Sequence, residues 1–380
     1  MEFKDFDRKI GTFLIAYQIL LFVSLPFYFY FFTVNTGTVI ATIVLMFLTG
    51  MSITAGYHRF YSHRSYKINR VIEAVILFFS TMAMQGSVIR WSYNHRMHHM
   101  FVDKEEDPHN IKKGLFFAHM LWLLRKQRPI EEKVVSDLMQ NRWLVFQNKY
   151  YNPLTFGANI LVFLLVGWLF NDFIGAFVLA FWTRLFLVHH FTWFINSLAH
   201  TFGAKTYSRE QTAVNNAIVA LLTFGEGYHN YHHVFASDYR NGVRWFQYDP
   251  TKWLIWTLSK LGLAHELKKI DNYTSKQKII MEDRHIFLEA LKESTYEKKH
   301  TLQQKVIEMS EGITQKIANI KNLIKVYSAL KENKANNNML NTLRQKISQI
   351  KNEIKKDWRS WRSLESEISR HALLHHHHYS

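Results

Sequence analysis

The sequence predicts an all-α membrane protein with four transmembrane helices, a cytosolic helical cap and a C-terminal helical hairpin or coiled coil. The first observation is composition: the 380 residues are 48% hydrophobic and 16% aromatic, which excludes a disordered chain. The second is that residues 10–57 contain no Asp, Glu, Lys or Arg. The third is that apolar residues beyond position 270 recur at three- and four-residue steps, which indicates amphipathic helices.

The uncharged segment is too long for one membrane crossing, which needs about 20 residues. A polar turn at 33–37 divides it into two helices. A second apolar segment is divided in the same way by Asn171 and Asp172. The predicted spans are therefore 11–32, 38–57, 153–170 and 175–195.

The loop charges predict the orientation of the chain. The two short turns between paired spans carry no Lys or Arg, whereas the basic residues lie on the other side. By the positive-inside rule, both termini and residues 57–152 should be cytosolic. The formal net charge of +17 then reflects a cytosolic face, and nucleic acid is disfavoured as a partner.

Two further apolar segments are expected to stay at the membrane surface. Residues 71–89 contain one charge, Glu73, and a crossing there would separate the histidine clusters described below. We expect a helix at the interface or buried under the cap. Residues 114–124 are followed by Arg125, Lys126 and Arg128, which predicts a short amphipathic surface helix.

The composition changes near residue 270, and this change predicts two domains. Residues 1–270 form the four-span domain with its cap, and residues 271–380 form a charged helical extension. The Asn-rich segment 335–338 breaks the extension into two helices, which favours a hairpin or coiled coil that self-associates or binds a partner. The terminal histidine run 375–378 is expected to be a flexible tail.

Histidine dominates the chemistry that the sequence offers. The chain has 21 His and no Cys, which excludes disulfides, thiolate zinc sites and cysteine nucleophiles. Three clusters lie at the predicted cytosolic ends of the spans, and one further histidine follows the fourth span. They are His58 and His63; His95, His98 and His99; His229, His232 and His233; and His200.

The spacing of these histidines predicts two adjacent metal ions. Helical residues four apart share a face, so His95 and His99 can hold one ion, while His98 points toward a second. The repeated pattern at 229–233 behaves in the same way. His58 and His63 are five apart, which fits a helix end that unwinds around one ion. Asn196 lies four residues before His200 and can close the site.

Imidazole suits iron, zinc, copper or nickel. Glu226 is expected to orient a ligand imidazole, because the full set of acidic ligands of a carboxylate-bridged site is missing. His189 and His190 are expected to be polar residues with ordinary hydrogen bonds. The same interpretation is given to the isolated histidines His109, His119, His265, His285, His300 and His371.

Five segments together resemble the membrane-bound fatty acyl desaturases of the stearoyl-CoA desaturase type. They are TAGYHRFYSHRSY (54–66), NHRMHH (94–99), EDPHN (106–110), WFINSLAH (193–200) and GEGYHNYHHVFASDYRNGVRWFQYDPTKWLI (225–255). The resemblance covers residues 10–270. The segment 85–94 before the second histidine box looks closer to bacterial and plastid-type members.

The resemblance implies two iron ions and O2 as co-substrate. One iron would be held by His58, His63, His95, His99 and His232. The other would be held by His98, His200, His229 and His233, with Asn196 reaching it through a water. The implied reaction inserts a cis double bond, commonly delta-9, into a long saturated acyl chain.

The resemblance also implies partners. The substrate would be a long-chain acyl-CoA or acyl-lipid, and Trp193 would line its tunnel or belong to an interfacial aromatic belt. Arg90, Arg125, Lys126 and Arg128 would contact an anionic head group. No HPGG-like haem box occurs in the 380 residues, so electrons are expected from a separate donor of cytochrome b5 or ferredoxin type. The expected location is the inner membrane of a bacterium or the endoplasmic reticulum of a eukaryote.

Two other functions remain open from the sequence. A diiron fatty-acid hydroxylase or alkane monooxygenase would use the same metal ligands. A non-catalytic membrane metal-binding protein would use the histidines without turnover, although their position at the ends of the spans argues against transport.

Overall fold

The computed structural model describes residues 6–333 and 336–371, which are mostly helical. Four helices are long and apolar enough to cross a membrane: Arg8–Phe31, Thr36–Ser62, Tyr151–Phe170 and Phe173–His200. They coincide with the four predicted spans, and the predicted fold class is confirmed. The histidine run 375–378 and Ala335 lie outside the described residues.

The helices are numbered in chain order. They are α1 (Arg8–Phe31), α2 (Thr36–Ser52), α3 (Arg70–Thr81), α4 (Val88–Phe101), α5 (Leu115–His119), α6 (Ser136–Met139), α7 (Arg142–Lys149), α8 (Tyr151–Phe170), α9 (Phe173–Gly175), α10 (Arg184–Ser197), α11 (Ala217–Leu222), α12 (His229–Val234), α13 (Pro250–Lys260), α14 (Asn272–Glu293), α15 (Lys299–Glu332) and α16 (Asn337–His371). Two strands, β1 (Lys67–Ile68) and β2 (Ala264–His265), pair antiparallel. Short 3₁₀ turns occupy Ile111–Lys113, Leu121–Leu124, Glu132–Val134 and Leu198–His200.

The second and fourth spans each contain a π-helical segment, at Ile53–Ser62 and Ala176–Thr183. Hydrogen bonds from i to i+5 define this geometry, which is frequent at functional sites. The first segment carries the second span beyond its predicted end at 57, to Ser62. The polar residues that suggested an early end are therefore still helical.

Asp172 ties three spans together at the end of the bundle opposite the histidines. Its Oδ2 accepts hydrogen bonds from the Tyr28 hydroxyl at 3.1 Å and the Thr38 hydroxyl at 2.8 Å. Its Oδ1 accepts from the Gly175 backbone N–H at 2.8 Å and caps the start of the fourth span. One carboxylate thus joins the first, second and fourth spans where they are all apolar.

Residues 71–89 do not form a membrane-crossing helix, as predicted. Helix α3 ends at Thr81, and the chain then turns before α4 begins at Val88. The turn is held from the bundle side: the Thr155 hydroxyl donates to the Thr81 carbonyl at 2.6 Å, and the Asn159 amide donates to the Met82 carbonyl at 3.2 Å. Buried carbonyls in the turn therefore have polar partners, as apolar surroundings require.

Residues 114–124 do not form the single amphipathic helix that the sequence predicts. The segment is divided into α5 and the 3₁₀ turn Leu121–Leu124. The break falls at Met120, whose φ of −142° lies outside the helical region. Ala118 and Leu124 are buried, so the segment packs into the protein on one side while Phe116 is exposed.

The described chain divides into two compact units. The first comprises residues up to 204 together with 211–269, and the second comprises 205–210 together with 270–371. The first unit contains the four spans and the cap.

The second unit has three helices, α14, α15 and α16, around a core of its own. The predicted hairpin corresponds to α15 and α16, and α14 joins them through a row of buried residues that the sequence analysis did not assign. Trp361 is fully buried and donates to Asp283 at 3.0 Å. The buried core residues are Ile280, Phe287, Leu291, Leu302, Val306, Ile313, Ile317, Ile320, Ile347, Ile350, Ile354, Trp361, Leu364 and Ile368.

Replacing Asp172 with Ala removes two hydrogen bonds that join the spans and one that caps the start of the fourth span. We expect the folded state to lose about 2 kcal/mol, because a cap and two inter-span bonds each contribute about 1 kcal/mol or less. Thermal denaturation in detergent would show a lower midpoint. Tyr28→Phe, which removes one of the three bonds, should give a smaller decrease, and an unchanged midpoint for Asp172→Ala would contradict this role.

Candidate metal centre

The structure brings the nine predicted histidines into two adjacent groups. The five-histidine group contains His58, His63, His95, His99 and His232, and the four-histidine group contains His98, His200, His229 and His233. Within each group the candidate ligand nitrogens lie within 4.8 Å of one another. Their membership is the one that the family resemblance implies. Metal ligation by them stays a prediction.

The π-helical end of the second span places His58 and His63 together. The backbone N–H of His63 donates to the His58 carbonyl at 3.1 Å, an i to i+5 bond. The helix therefore widens where an unwound end was predicted. Residues five apart share a face in this geometry, and the two rings lie 4.9 Å apart.

Helices α4 and α12 each contribute to both groups. On α4, His95 and His99 belong to the five-histidine group and His98 to the other. On α12 the pattern is reversed: His229 and His233 belong to the four-histidine group, and His232 crosses to the five. The i, i+4 partition that the spacing predicts is therefore present on both helices.

The last predicted members lie at the end of the fourth span. His200 ends the 3₁₀ turn Leu198–His200 and is buried, and Asn196 lies in the final turn of α10 and is half-buried. Because the helix tightens between them, the simple i, i+4 geometry does not apply to this pair. Contact between Asn196 and a metal through water stays a prediction.

The facing nitrogens have the separation that a shared metal ion requires. Five Nε2–Nε2 pairs lie 2.7 to 3.2 Å apart, including His63 with His95 at 2.7 Å and His98 with His233 at 3.2 Å. Two nitrogens bound at about 2.1 Å and at right angles to one ion stand about 3.0 Å apart. Both groups therefore fit imidazole-bound metal.

Burial favours the neutral form of seven of the nine imidazoles. Burial, together with the neighbouring imidazoles, lowers the pKa of His99 to about 3. The same causes lower the pKa of the other cap histidines well below the usual range. A metal ion requires the neutral ring, so this environment favours binding. These other histidines are His63, His95, His98, His229, His232 and His233.

Buried carboxylates contact one histidine of each group. Glu226 Oε2 lies 2.8 Å from His58 Nδ1, and Asp107 Oδ1 lies 2.9 Å from His98 Nδ1. Burial raises the pKa of the Glu226 carboxyl, but the Arg59 guanidinium brings it below its usual value. Each contact fixes the ring so that Nε2 faces the group, as in other carboxylate–histidine metal sites.

Arg59 is the centre of a buried ionic network that sequence reasoning missed. Its guanidinium donates to Glu226 at 2.9 Å, to Asp249 at 3.0 Å and to the Tyr239 carbonyl at 2.7 Å. Asp249 also accepts from the Lys252 backbone N–H and so caps α13. In the sequence, the only sign of this network was the charge of Arg59 between His58 and His63.

A chain of two hydrogen bonds holds His200 of the four-histidine group in place. His200 Nδ1 lies 2.8 Å from the Thr212 hydroxyl, and that hydroxyl contacts Asp103. His109, predicted to be an ordinary residue, lies 4.2 Å from the His98 ring and joins His98 and Asp107 in a third candidate ligand cluster. Its place beside Asp107 in EDPHN was the signal.

The fatty acid desaturase family model matches residues 13–266, which include every histidine of both groups. The chain belongs to the fatty acid desaturase family. The earlier resemblance is thus confirmed. The likeness to bacterial and plastid-type members stays a prediction.

Named relatives agree with this family. The chain is 42% identical over 246 residues to "Probable acyl-CoA desaturase" of Schizosaccharomyces pombe, covering 64% of this chain and 51% of the relative. It is 40% identical over 238 residues to "Acyl-CoA desaturase 1" of Saccharomyces cerevisiae, covering 62% and 46%. It is 38% identical over 265 residues to "Delta(9)-fatty-acid desaturase fat-6" of Caenorhabditis elegans, covering 66% and 78%. The chain spans about half the length of both yeast relatives.

Trp193 is buried among the four spans, so its alternative role in a lipid-facing aromatic belt is wrong. It packs with Tyr17, Trp182 and Leu185 in an aromatic core. His189, next to it, bonds the Tyr17 hydroxyl at 2.9 Å and the Ala83 carbonyl at 2.8 Å, as expected for a residue with ordinary hydrogen bonds. A tunnel-lining role for Trp193 stays a prediction.

A hydrogen-bonded bridge connects the Trp193 region to the five-histidine group. Gln85 accepts from the Trp91 indole at 3.2 Å and donates to the Thr192 hydroxyl at 2.9 Å. The Trp91 ring in turn stacks on His95, with ring centres 5.1 Å apart. The bridge therefore fixes Trp91 between the fourth span and the histidines.

Three of the four predicted head-group contacts line one cleft. Arg125, Lys126 and Arg128 lie there with Lys113, in a cavity of about 290 Å³. Arg90 lies behind the cleft, where its guanidinium donates to the Arg128 carbonyl at 2.6 Å. The aromatic side chains of Tyr93, Phe117 and Trp122 also line the cleft. Three acidic residues, Glu105, Glu106 and Asp107, line it as well, and Glu105 pairs with Lys113 at 2.7 Å.

Replacing Glu226 with Gln removes the charge that holds both His58 and Arg59. We expect metal affinity to fall by about 10- to 100-fold, which is usual when the partner of a ligand histidine is lost. Metal retained after dialysis against a chelator, measured by mass spectrometry, tests this. Glu131→Gln, an equal change at an exposed ion pair, should retain the wild-type metal content. Equal retention by both variants would contradict the role of Glu226.

Proposed function

We propose that this protein is a fatty acyl desaturase that inserts a cis double bond, at the delta-9 position, into a long saturated acyl-CoA. The observation that carries the proposal is the pair of adjacent imidazole groups in a chain of the fatty acid desaturase family. The relatives described as acyl-CoA and delta-9 desaturases support the substrate and the position.

We propose that both groups bind iron, the five histidines holding one ion and the four histidines, with Asn196 through a water, holding the other. An all-nitrogen set of neutral imidazoles suits a redox-active transition metal and not a metal that prefers oxygen ligands. When bound, the two irons supply O2 activation at the expense of electrons from a separate donor. The protein supplies orientation, through Glu226 and Asp107, and exclusion of water.

Exclusion of water follows from burial at the site. His58, His98, His229 and His232 are nearly inaccessible to solvent. The apolar cluster around Trp193 would supply side chains that contact an acyl chain, and the Gln85 and Trp91 bridge connects this cluster to His95. A dry, aromatic environment binds methylene groups and keeps bulk water from the reacting carbon.

The basic cleft fits a CoA head group. Arg125, Lys126, Arg128 and Lys113 offer donors for several phosphates, and Phe117 and Trp122 offer faces for stacking. Asp107 lines the same cleft and bonds His98, so the cleft begins at the four-histidine group. A head group in the cleft would therefore have its acyl chain directed toward the metals.

We further propose that the protein is multi-pass, with both termini and the histidine groups in the cytosol, because the basic loops lie on that side. An acidic electron donor, of cytochrome b5 or ferredoxin type, would be attracted to this basic face. We propose that the three-helix unit contributes to self-association. We do not expect it to take part in catalysis.

The His232→Ala variant removes the one histidine that α12 contributes to the five-histidine group. We expect loss of O2-dependent alkene formation, because one proposed metal ligand is missing. Helical content should be unchanged, because eight of the nine histidines remain. Mass spectrometry of acyl chains from a host of defined lipid composition gives the double bond and its position. His265→Ala, at an exposed histidine, is the matched control and should retain activity.

Other products would favour the alternatives. A hydroxylated chain without any alkene would indicate a hydroxylase, and exchangeable zinc without turnover would indicate a metal-binding protein. Wild-type desaturation by His232→Ala would contradict the metal model.

Reversing charge in the cleft should weaken substrate binding selectively. For Arg125→Glu with Lys126→Glu we expect KM for acyl-CoA to rise tenfold or more with little change in kcat, because each charge-assisted bond contributes about 1.5–3 kcal/mol. Steady-state kinetics with acyl-CoA tests this. Lys133→Glu, at an exposed position outside the cleft, should leave KM unchanged, and an equal KM for both variants would exclude a head-group role.

A further inference from the structure

Three neighbouring segments of the cap expose large apolar side chains beside the second span. They are α11, residues 244–248 and α13, and together they are called the cap edge. Trp245 is 89% exposed and Ile218 is 75% exposed, and four further large apolar residues are more than one-third exposed. Several large apolar side chains exposed on neighbouring segments are typical of an interaction site. The four are Leu221, Phe246, Trp253 and Trp256.

The cap edge lies at the depth of the membrane interface. Counting about 20 residues from Thr36, the start of the second span, places the boundary of the hydrocarbon near Ala55. The Thr54 hydroxyl lies 2.7 Å from the Thr251 hydroxyl in the first turn of α13. Helix α13 therefore begins at the level where lipid head groups meet acyl chains.

Helix α11 reaches further toward the hydrocarbon. Phe224, which follows it, lies 5.4 Å from Phe47 between ring centres and covers Gly50 so closely that no Cβ fits there. Phe47 is exposed on the lipid-facing side of the second span, with Val44 on the same face. The cap edge thus adjoins the exposed apolar surface of the second span.

The side chains of the cap edge have the composition of an interfacial anchor. Helix α13 buries Thr251, Ile255 and Leu258 and turns Trp253 and Trp256 outward. Lys260 lies over the Trp256 ring at 5.5 Å, and Arg244 lies over Phe246 at 5.8 Å. Tryptophan beside basic side chains is typical of segments at the head-group level.

The charges of the cap edge indicate which lipids it would contact. Between residues 243 and 261 the one acidic residue is Asp249, which is buried in the Arg59 network. The exposed charges, Arg244 and Lys260, are both basic. They would attract phospholipids with anionic head groups.

We propose that the cap edge is a membrane-contact surface of the cap, with its tryptophans at the head-group level and Arg244 and Lys260 on anionic phospholipid. The proposal rests on the four helices spanning the bilayer. It fixes the cap, and with it α12, at a set depth beside the second span. The occupant is the bilayer, and a soluble protein partner is the competing outcome.

The absence of cysteine from the chain gives a direct test. Single cysteines in place of Trp245, Trp253 or Trp256 would carry a nitroxide label in protein reconstituted into nanodiscs. Val44→Cys is the lipid control and Lys133→Cys is the water control. Collision with O2, which concentrates in lipid, is compared with collision with a water-soluble nickel chelate. We expect the three labels to resemble Val44→Cys more than Lys133→Cys.

A second comparison tests the charges. Adding phosphatidylserine to phosphatidylcholine nanodiscs should shift the Trp256→Cys label deeper, and Arg244→Gln with Lys260→Gln should abolish the shift. Lys67→Gln with Lys133→Gln, an equal loss of exposed charge elsewhere, should retain it.

Three outcomes would overturn the proposal. The three labels could be as accessible to the nickel chelate as Lys133→Cys. They could be protected only when a soluble electron donor is added, which would make the cap edge a protein interface. A water-accessible label at Val44→Cys would instead show that the second span does not lie in the bilayer. This third outcome contradicts the premise of the proposal, whereas the first two contradict the proposed lipid contact itself.

Discussion

The buried contact of Arg59 with Glu226 and Asp249 is the interaction on which the histidine site depends. It joins the end of the second span that carries His58 to the loop before α12 and to the start of α13. All three side chains are almost completely buried, so loss of Arg59 would leave two carboxylates without their cation in a medium where this is costly. Glu226 also contacts His58, so the network that joins the elements orients a candidate ligand as well.

The spans supply the rigid support for this network. Their contacting surfaces are largely apolar, and their relative orientation is fixed by a few polar groups: Asp172 at one end, and Thr155, Asn159 and the buried Arg184 around the turn after α3. That turn leads directly into α4 and its three histidines. The orientation of the second histidine cluster is therefore determined by hydrogen bonds from the third span, more than sixty residues along the chain.

Much of the fold could be predicted from sequence because it depends on local periodicity, whereas the division of the nine histidines between the two groups was implied by the family resemblance. Span positions follow from hydropathy, and His95 with His99 follows from helical geometry. The widened helix at 53–62 could not be predicted, since α and π hydrogen bonding leave the same residue pattern. The partners of Arg59 and His98 were also missed, because Asp249 and Asp107 meet them through tertiary contacts that no spacing encodes.

Helices α4 and α12 each contribute histidines to both groups, and this has a consequence for how the protein is assembled during synthesis. Each group draws on α4 and α12, whose sequences are separated by more than a hundred residues. The four-histidine group has only His98 in the first half of the chain, whereas the five-histidine group has four members there. Under the proposed metal binding, the ion of the four-histidine group would therefore be bound only after His229 and His233 have been synthesised and α12 has packed beside α4.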